Sequence, residues 1–252
     1  MSVTCEVLEQ GIAKITFSNP PVNSLDLDTK TKLAEAFEDY GQREDICAII
    51  LCADEASKGF SAGSNFVEFT SYKQNFDEYQ KVDIRMVDAM NNSRAAIVLG
   101  VKGYDLAMGI ALTAYSDIVV ASEDAYFGVP EINVGIVGAF DMLCYLTSVK
   151  QARYMSFTGD YISAQRMYEF GNVQSIVPRE QLMDECLSIA RKIASKYPRA
   201  IHMYRQIMMT CMKDTYTYAI AEISRQLSQK LMLDPEREAL MSRFHETKTK
   251  NA

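Results

Sequence analysis

Three apolar runs of strand length constrain this chain more than any other feature: "CAIILCA" (47–53), "AAIVLGV" (95–101) and "DIVVAS" (117–122). A continuous apolar run, unlike a strict alternation, marks a strand buried on both faces. Between the runs the spacing turns helical. In "NSLDLDTKTKLAEAFEDYGQRED", Leu33, Ala36 and Phe37 share one face, and either Asp26 or Asp28 can cap the start. A second helix is predicted over Phe76 to Met90. Strands that alternate with helices imply an α/β layer architecture with crossover connections.

The flanking regions fit the same frame. "TCEVLEQGIAKITFSN" reads as two short strands around the turn Glu9-Gln10-Gly11. From about Ser163 the pattern is mostly helical: "SAQRMYEFG", a short strand "VQSIV", then helices from Glu180, from about Arg199 and from about Pro235. The change of class near Tyr197-Pro198 divides the chain into a core, residues 1–196, and a helical extension, 197–252. Neither a Pro/Gly/Ser-rich linker nor an internal repeat interrupts it. Met203, Met208, Met209 and Met212 in the extension read as packing or subunit interface, and His202 beside them likewise.

Composition removes several function classes. Of the 252 residues, 48% are hydrophobic, which supplies a core, and the net charge of -7 comes from interspersed acids and bases. Nucleic-acid binding needs a concentrated basic face, so nucleic acid is not an expected partner. The two histidines, with six scattered cysteines and no C-x-x-C, argue against a Cys/His metal site, and the thiols read as buried and free. "MSVTCEVLEQ" lacks the regions of a signal peptide, no apolar run has membrane-spanning length, and the chain ends in neither "SKL" nor "KDEL". The expectation is a soluble, cytoplasmic protein with no membrane partner.

Two segments can present backbone amides to an anion. "FSAGSN" (60–65) directly precedes a predicted helix, and "VKGYDLAMGIAL" (101–112) runs from a strand into a helix predicted to begin near Ala107. Small residues at Ala62, Gly63, Ala107 and Gly109 allow close approach to the backbone, and two converging N–H groups make an oxyanion hole. An ordinary strand-to-helix turn fits the same spacing. In "YFGVPEINVGIVG", Glu131 stands alone among apolar neighbours. It reads either as a general acid/base with a raised pKa or as a solvated loop residue.

The order of the motifs goes further. A two-strand entry, then "FSAG", "KGY" with its glycine-punctuated helix start, "SEDAYFGVPEINVGI", "TGDYISAQ" and "IVPREQL" resembles the crotonase (enoyl-CoA hydratase/isomerase) superfamily over nearly the whole chain. The resemblance implies a spiral of β-β-α repeats and a C-terminal helical trimerisation region. It also implies an acyl-CoA or acyl-carrier thioester as substrate, and assembly as a homotrimer or a dimer of trimers. Coenzyme A would enter as part of the substrate, with no cofactor bound permanently. The amides that hold the thioester oxygen fall on Ala62 and Met108, the latter where most relatives have glycine.

Of the two glutamates used by hydratases of the family, the first falls on Ala111 and the second on Glu131. Loss of the first implies a 3-enoyl-CoA to 2-enoyl-CoA isomerase rather than a hydratase. Members that decarboxylate, or that form or cleave C–C bonds, are the rival reading, and a non-catalytic acyl-CoA-binding scaffold is a third. The backbone around Ser61, Gly63, Ser64 and Asn65, with Gly109, would hold coenzyme A, joined by Phe244 and by Lys248, one residue later than usual. Asn65 replaces the usual aspartate. "VGAFDML" departs from the usual glycine-rich loop and puts Phe140 and Asp141 at the acyl pocket. Asp105, where small residues are usual, is expected either to cap the following helix or to meet a polar group of the acyl chain.

Overall fold

The computed structural model describes residues 2–71, 76–134 and 139–213. Strands β1 (Ser2–Glu9) and β2 (Ile12–Ser18) form the expected antiparallel hairpin, turning at Gly11 with φ +80°. Helix α1 (Leu27–Tyr40) follows, capped by Asp26, whose carboxylate accepts from the Thr29 N–H at 2.8 Å. Asp28, the other candidate, instead pairs with Lys32 one turn on, at 2.6 Å. Strand β3 (Ala48–Ala53) is buried at all six positions.

Its two faces meet different layers. Ile49 and Leu51 join the main core with Leu33 and Phe37 of α1, and with Met86 and Met90 of α3 (Phe76–Asn92), which follows the short helix α2 (Phe66–Ser71). Ala48 and Ile50 face Leu182, Cys186, Ile189 and Ala190, on a helix from the far end of the chain. Burial on both sides is why the run lacks polar alternation. Each buried Leu or Ile contributes about 1.5–3 kcal/mol relative to exposure.

After β4 (Ala96–Val101) the chain departs from the expectation of a direct turn into a helix. Gly103, at φ +56°, redirects it into strand β5 (Tyr104–Leu106), and helix α4 (Gly109–Ala114) begins only beyond Met108. β6 (Ile118–Ser122) returns to the main sheet, and β7 (Tyr126–Gly128) pairs with β5. A 3-10 turn, Pro130–Val134, follows. Residues 140–158, for which the sequence pattern offers no assignment, contain α5 (Phe140–Leu146) and α6 (Val149–Thr158). Then come β8 (Ile162–Ser163), α7 (Ala164–Glu169), β9 (Ser175–Val177), a 3-10 turn over Arg179–Gln181, α8 (Leu182–Ala194) and α9 (Pro198–Lys213).

The main sheet has the order β1-β2-β3-β4-β6-β9, and a smaller one has the order β5-β7-β8. The pairs β4–β5 and β6–β7 each place one strand in the large sheet and the next in the small one, and the pair β4–β5 is followed by α4. This is the β-β-α spiral. At the end of the described chain, α9 is pinned by Arg205. Its Nε meets Asp117 at 2.7 Å, and Nη1 donates to the carbonyls of Met90 (3.0 Å) and Ser93 (2.6 Å). His202 Nε2 lies 3.0 Å from the Ile46 carbonyl, a packing role as expected. Cys47, Cys52 and Cys186 are buried free thiols, whereas Cys5 and Cys144 are partly exposed. Among the described residues no helix is long and apolar enough to cross a membrane.

Candidate active site

The two amide-bearing segments are brought together by β5. The Ser61 N–H donates to the Tyr104 carbonyl (3.1 Å), and the Leu106 N–H to the Ser61 carbonyl (2.9 Å). Two residues beyond Ser61, Gly63 adopts φ +90°. A Cβ there would lie 2.5 Å from Ala107 Cβ and 3.1 Å from the Met108 nitrogen, so only glycine permits the approach. Ala107 itself has φ +53°, a left-handed conformation that is unfavourable for a residue with a Cβ. Its N–H is held by the Gly128 carbonyl at 2.9 Å. That strained step turns the Met108 N–H out of the ladder, and it makes no hydrogen bond among the described residues. The Ala62 N–H is not equivalent, because it donates to the Val22 carbonyl at 3.2 Å. A ligand oxygen would share or displace that long bond.

Glu131 reaches the same place through strand register. Leu106 pairs with Gly128, so three residues after Gly128 the chain delivers Glu131 at the end of the small sheet where Ala107 and Met108 emerge. It is the second residue of the 3-10 turn and is half-buried. Its Oε2 is buried with no hydrogen-bond partner among the described residues, and desolvation raises its pKa. The turn is braced by "TGD": a Cβ on Gly159 would lie 2.7 Å from Asn133 Nδ2 and 3.1 Å from Ile132. Ala111, where a second glutamate would stand, is a fully buried methyl in α4.

Asp105 lies elsewhere than expected. It is completely buried between the two amide segments, bridged to Ser61. Nor does it cap the helix backbone; its Oδ2 accepts from the Thr113 hydroxyl at 2.5 Å. A Cβ on Gly109 would fall 2.3 Å from Oδ1, so the carboxyl fills the space the glycine leaves. Oδ1 has no partner among the described residues, and burial pushes the pKa to about 7.

The expected coenzyme-A segment is largely occupied with bracing itself. The Ser61 hydroxyl is buried, donating to the Asn23 carbonyl (3.0 Å) and accepting from the Gly63 N–H (3.1 Å). Asn65 accepts from the Glu68 N–H at 3.1 Å, capping α2 as an aspartate would. Phe244 and Lys248 lie outside the described residues, as does the side chain of Asp141, while Phe140 is exposed at the start of α5. Sequence reasoning missed Lys30. It is fully buried and donates to the Ser64 hydroxyl (3.0 Å) and to Tyr79 Oη (2.8 Å), while its ammonium lies 2.6 Å from Asp83 Oδ1. Asp83 belongs to a cavity of about 600 Å³ that Met108 also lines, together with the polar Gln80, Asp88 and Asn91 and the apolar Met142 and Met209.

A two-sheet spiral that aims the Met108 amide and a desolvated glutamate at one end of its small sheet defines a crotonase-type acyl-thioester site. The chain belongs to the enoyl-CoA hydratase/isomerase family, whose profile matches residues 8–251. It is 34% identical over 216 residues, 82% of this chain and 80% of the relative, to a (7aS)-7a-methyl-1,5-dioxo-2,3,5,6,7,7a-hexahydro-1H-indene-carboxyl-CoA hydrolase of Rhodococcus jostii. The hydrolase of the same name from Mycobacterium tuberculosis is 32% identical over 210 residues, 82% of this chain and 84% of the relative. The fold is similar to that of a crystal structure of an enoyl-CoA hydratase from Mycobacterium smegmatis, with TM-score 0.91 and 26% identity over 97% of this chain and 96% of that one.

Proposed function

We propose that this chain is an acyl-CoA isomerase that moves a double bond from the 3- to the 2-position, with Glu131 as its single acid/base. The contrast between Glu131, desolvated with an unpartnered oxygen, and Ala111, a sealed methyl, carries the reading. Hydration draws on two carboxylates, one to orient water and one to move its proton. A single base suffices to take the proton from C2 and return it to C4, while the electrons shift through a dienolate whose charge sits on the thioester oxygen. In this reading the Met108 N–H, which has no hydrogen-bond partner among the described residues, donates to that oxygen, and the Ala62 N–H joins it by loosening its bond to Val22. Oxyanion donors of this type contribute about 3 kcal/mol each.

Similarity to the two indene-carboxyl-CoA hydrolases favours a second reading, C–C cleavage of a cyclic acyl-CoA. Glu131 would then activate water for addition to a ring ketone. The bond to the α-carbon breaks, leaving its electron pair in the enolate, and the proton held by Glu131 returns to carbon. Incubating wild type and Glu131→Gln with 3-enoyl-CoA in D2O tests the primary reading. Formation of the 2-enoyl isomer with deuterium at C4, lost in the variant, is the expected result. No isomerisation, with deuterium exchange at the α-carbon of a saturated cyclic acyl-CoA, would overturn it in favour of cleavage.

A further inference from the structure

The cavity beside Met108 has an unusual wall for a pocket that would take a hydrocarbon chain. Met108, Met142 and Met209 supply adaptable apolar surface, while Gln80, Asp83, Asp88 and Asn91 make the α3 side of the wall polar. The Asp83 side chain is 23% exposed, and its Oδ1 is buried towards Lys30 Nζ at 2.6 Å. Lys30 has no solvent exposure, and its ammonium makes two hydrogen bonds, to Ser64 and Tyr79, and an ion pair with Asp83. The ammonium is therefore committed, and it holds the Asp83 carboxylate in one orientation. With Oδ1 turned inward, the second carboxylate oxygen is left for the cavity.

Met108 links the cavity to the oxyanion position: its N–H is one of the two proposed oxyanion donors, and it is among the residues that line the cavity. Through Ser64, Lys30 also ties Asp83 to the segment that carries Ala62, so the carboxylate and the oxyanion amides share one rigid support. Asp88 also lines the cavity, but Asp83 is the carboxylate held in place by a buried lysine. A carboxylate fixed in this way loses hydration when an acyl group enters, unless that group brings a hydrogen-bond donor. Such a site discriminates strongly, because an analogue without the donor leaves the charge unpaired.

We propose that Asp83 is a specificity-determining residue that accepts a hydrogen bond from a hydroxyl or enol on the acyl group. The favoured substrates are then compact, oxygenated acyl-CoA thioesters rather than plain fatty acyl chains. The proposal rests on the reading of this site as an acyl-CoA site, but not on which reaction Glu131 performs. Asp83→Asn supplies the test. Facing the Lys30 ammonium, the amide must turn its oxygen inward and present its NH2 to the cavity, which converts an acceptor into a donor.

Calorimetric binding of 4-hydroxycyclohexanecarboxyl-CoA and 4-oxocyclohexanecarboxyl-CoA to wild type and variant reads this directly, with thermal melting to confirm that the variant is folded. Wild type is expected to bind the hydroxy thioester about tenfold or more tightly than the oxo thioester. Asp83→Asn is expected to shift the ratio at least tenfold towards the oxo thioester. An unchanged ratio, with both thioesters bound, overturns the assignment of Asp83 and leaves the acyl-CoA reading intact. Failure of wild type to bind either thioester overturns both. If the single variant does not fold, Lys30→Met combined with Asp83→Leu removes the charge pair together. It is expected to abolish the preference for the hydroxy thioester, and a preference that survived would equally overturn the proposal.

Discussion

Glu131 and Asp105 are two carboxyls with the same local symptoms and opposite situations. Each has a buried oxygen without a hydrogen-bond partner among the described residues, and in each burial raises the pKa. Glu131 sits half-buried at the open end of the small sheet, in a turn braced by the close approach of Gly159. Asp105 is sealed between the two amide segments and bonded to Thr113. Desolvation alone therefore does not make a catalytic group. Position at the end of the sheet separates the proposed acid/base from a buried strut, and the comparison can be broken or sharpened at each residue.

The largest effect is expected at the accessible carboxyl. Glu131→Gln should lower the rate of proton transfer at the α-carbon by about a thousandfold, since a positioned base contributes roughly 10²–10⁴-fold. Its melting temperature should stay level or rise, because an unsatisfied carboxylate is removed. In wild type, the base must be ionised to act, so the rate should climb with pH around a midpoint above that of an ordinary glutamate. A pH–rate profile followed by deuterium uptake checks both. A fall of less than tenfold in the variant would return Glu131 to the status of a structural residue.

The sealed carboxyl should instead reveal itself in stability. Below about pH 4 Asp105 is neutral in folded and unfolded chains alike. Between that point and about 7 the unfolded chain releases the proton while the folded chain retains it, so stability falls through this window and levels off above it. The full linkage contribution is about 4 kcal/mol, an upper bound for a group whose surroundings can relax. Asp105→Asn removes that dependence. Its melting temperature should gain on wild type steadily from pH 4 to 7 and hold a constant lead above 7. Parallel melting curves across that range would show that Asp105 does not titrate there.

A smaller loss is expected where the two segments touch. Gly109→Ala forces a methyl against Asp105 Oδ1, an overpacking that costs about 1–3 kcal/mol. Pairing it with Asp105→Gly should recover most of the loss, and denaturant unfolding of the single and double variants measures the coupling. The smallest effect belongs to the cap of α2. Asn65→Asp should change stability by less than about 0.5 kcal/mol, whereas Asn65→Ala should cost about 1 kcal/mol. A larger change for the aspartate would mean that Asn65 does more than accept from the Glu68 N–H.

Much of this was legible in the linear pattern. Continuous apolar runs identified β3, β4 and β6, because a strand covered by helices on both faces has no polar side to write. The order of "FSAG", "LAMG", "PEINVGI" and "TGD" located the amide segments, Glu131 and the missing carboxylate at Ala111. Local rules handled caps and glycine turns, since their donors and acceptors lie within a few residues of one another.

Tertiary structure alone decided the rest. The stretch after Gly103 is a strand rather than a helix start because it finds partners in β7 and in the Ser61 segment, residues far away along the chain. The Ala62 amide is committed to Val22, Asp105 is walled in beside Gly109, and Lys30 of α1 draws Ser64 together with Tyr79 and Asp83 of α3. Along the chain, Lys30 and Asp83 are charged residues on amphipathic helices, indistinguishable from solvated ones. Periodicity records which face of an element is apolar. Whether a charge on its border faces water or a buried counter-charge depends on what the fold packs beside it.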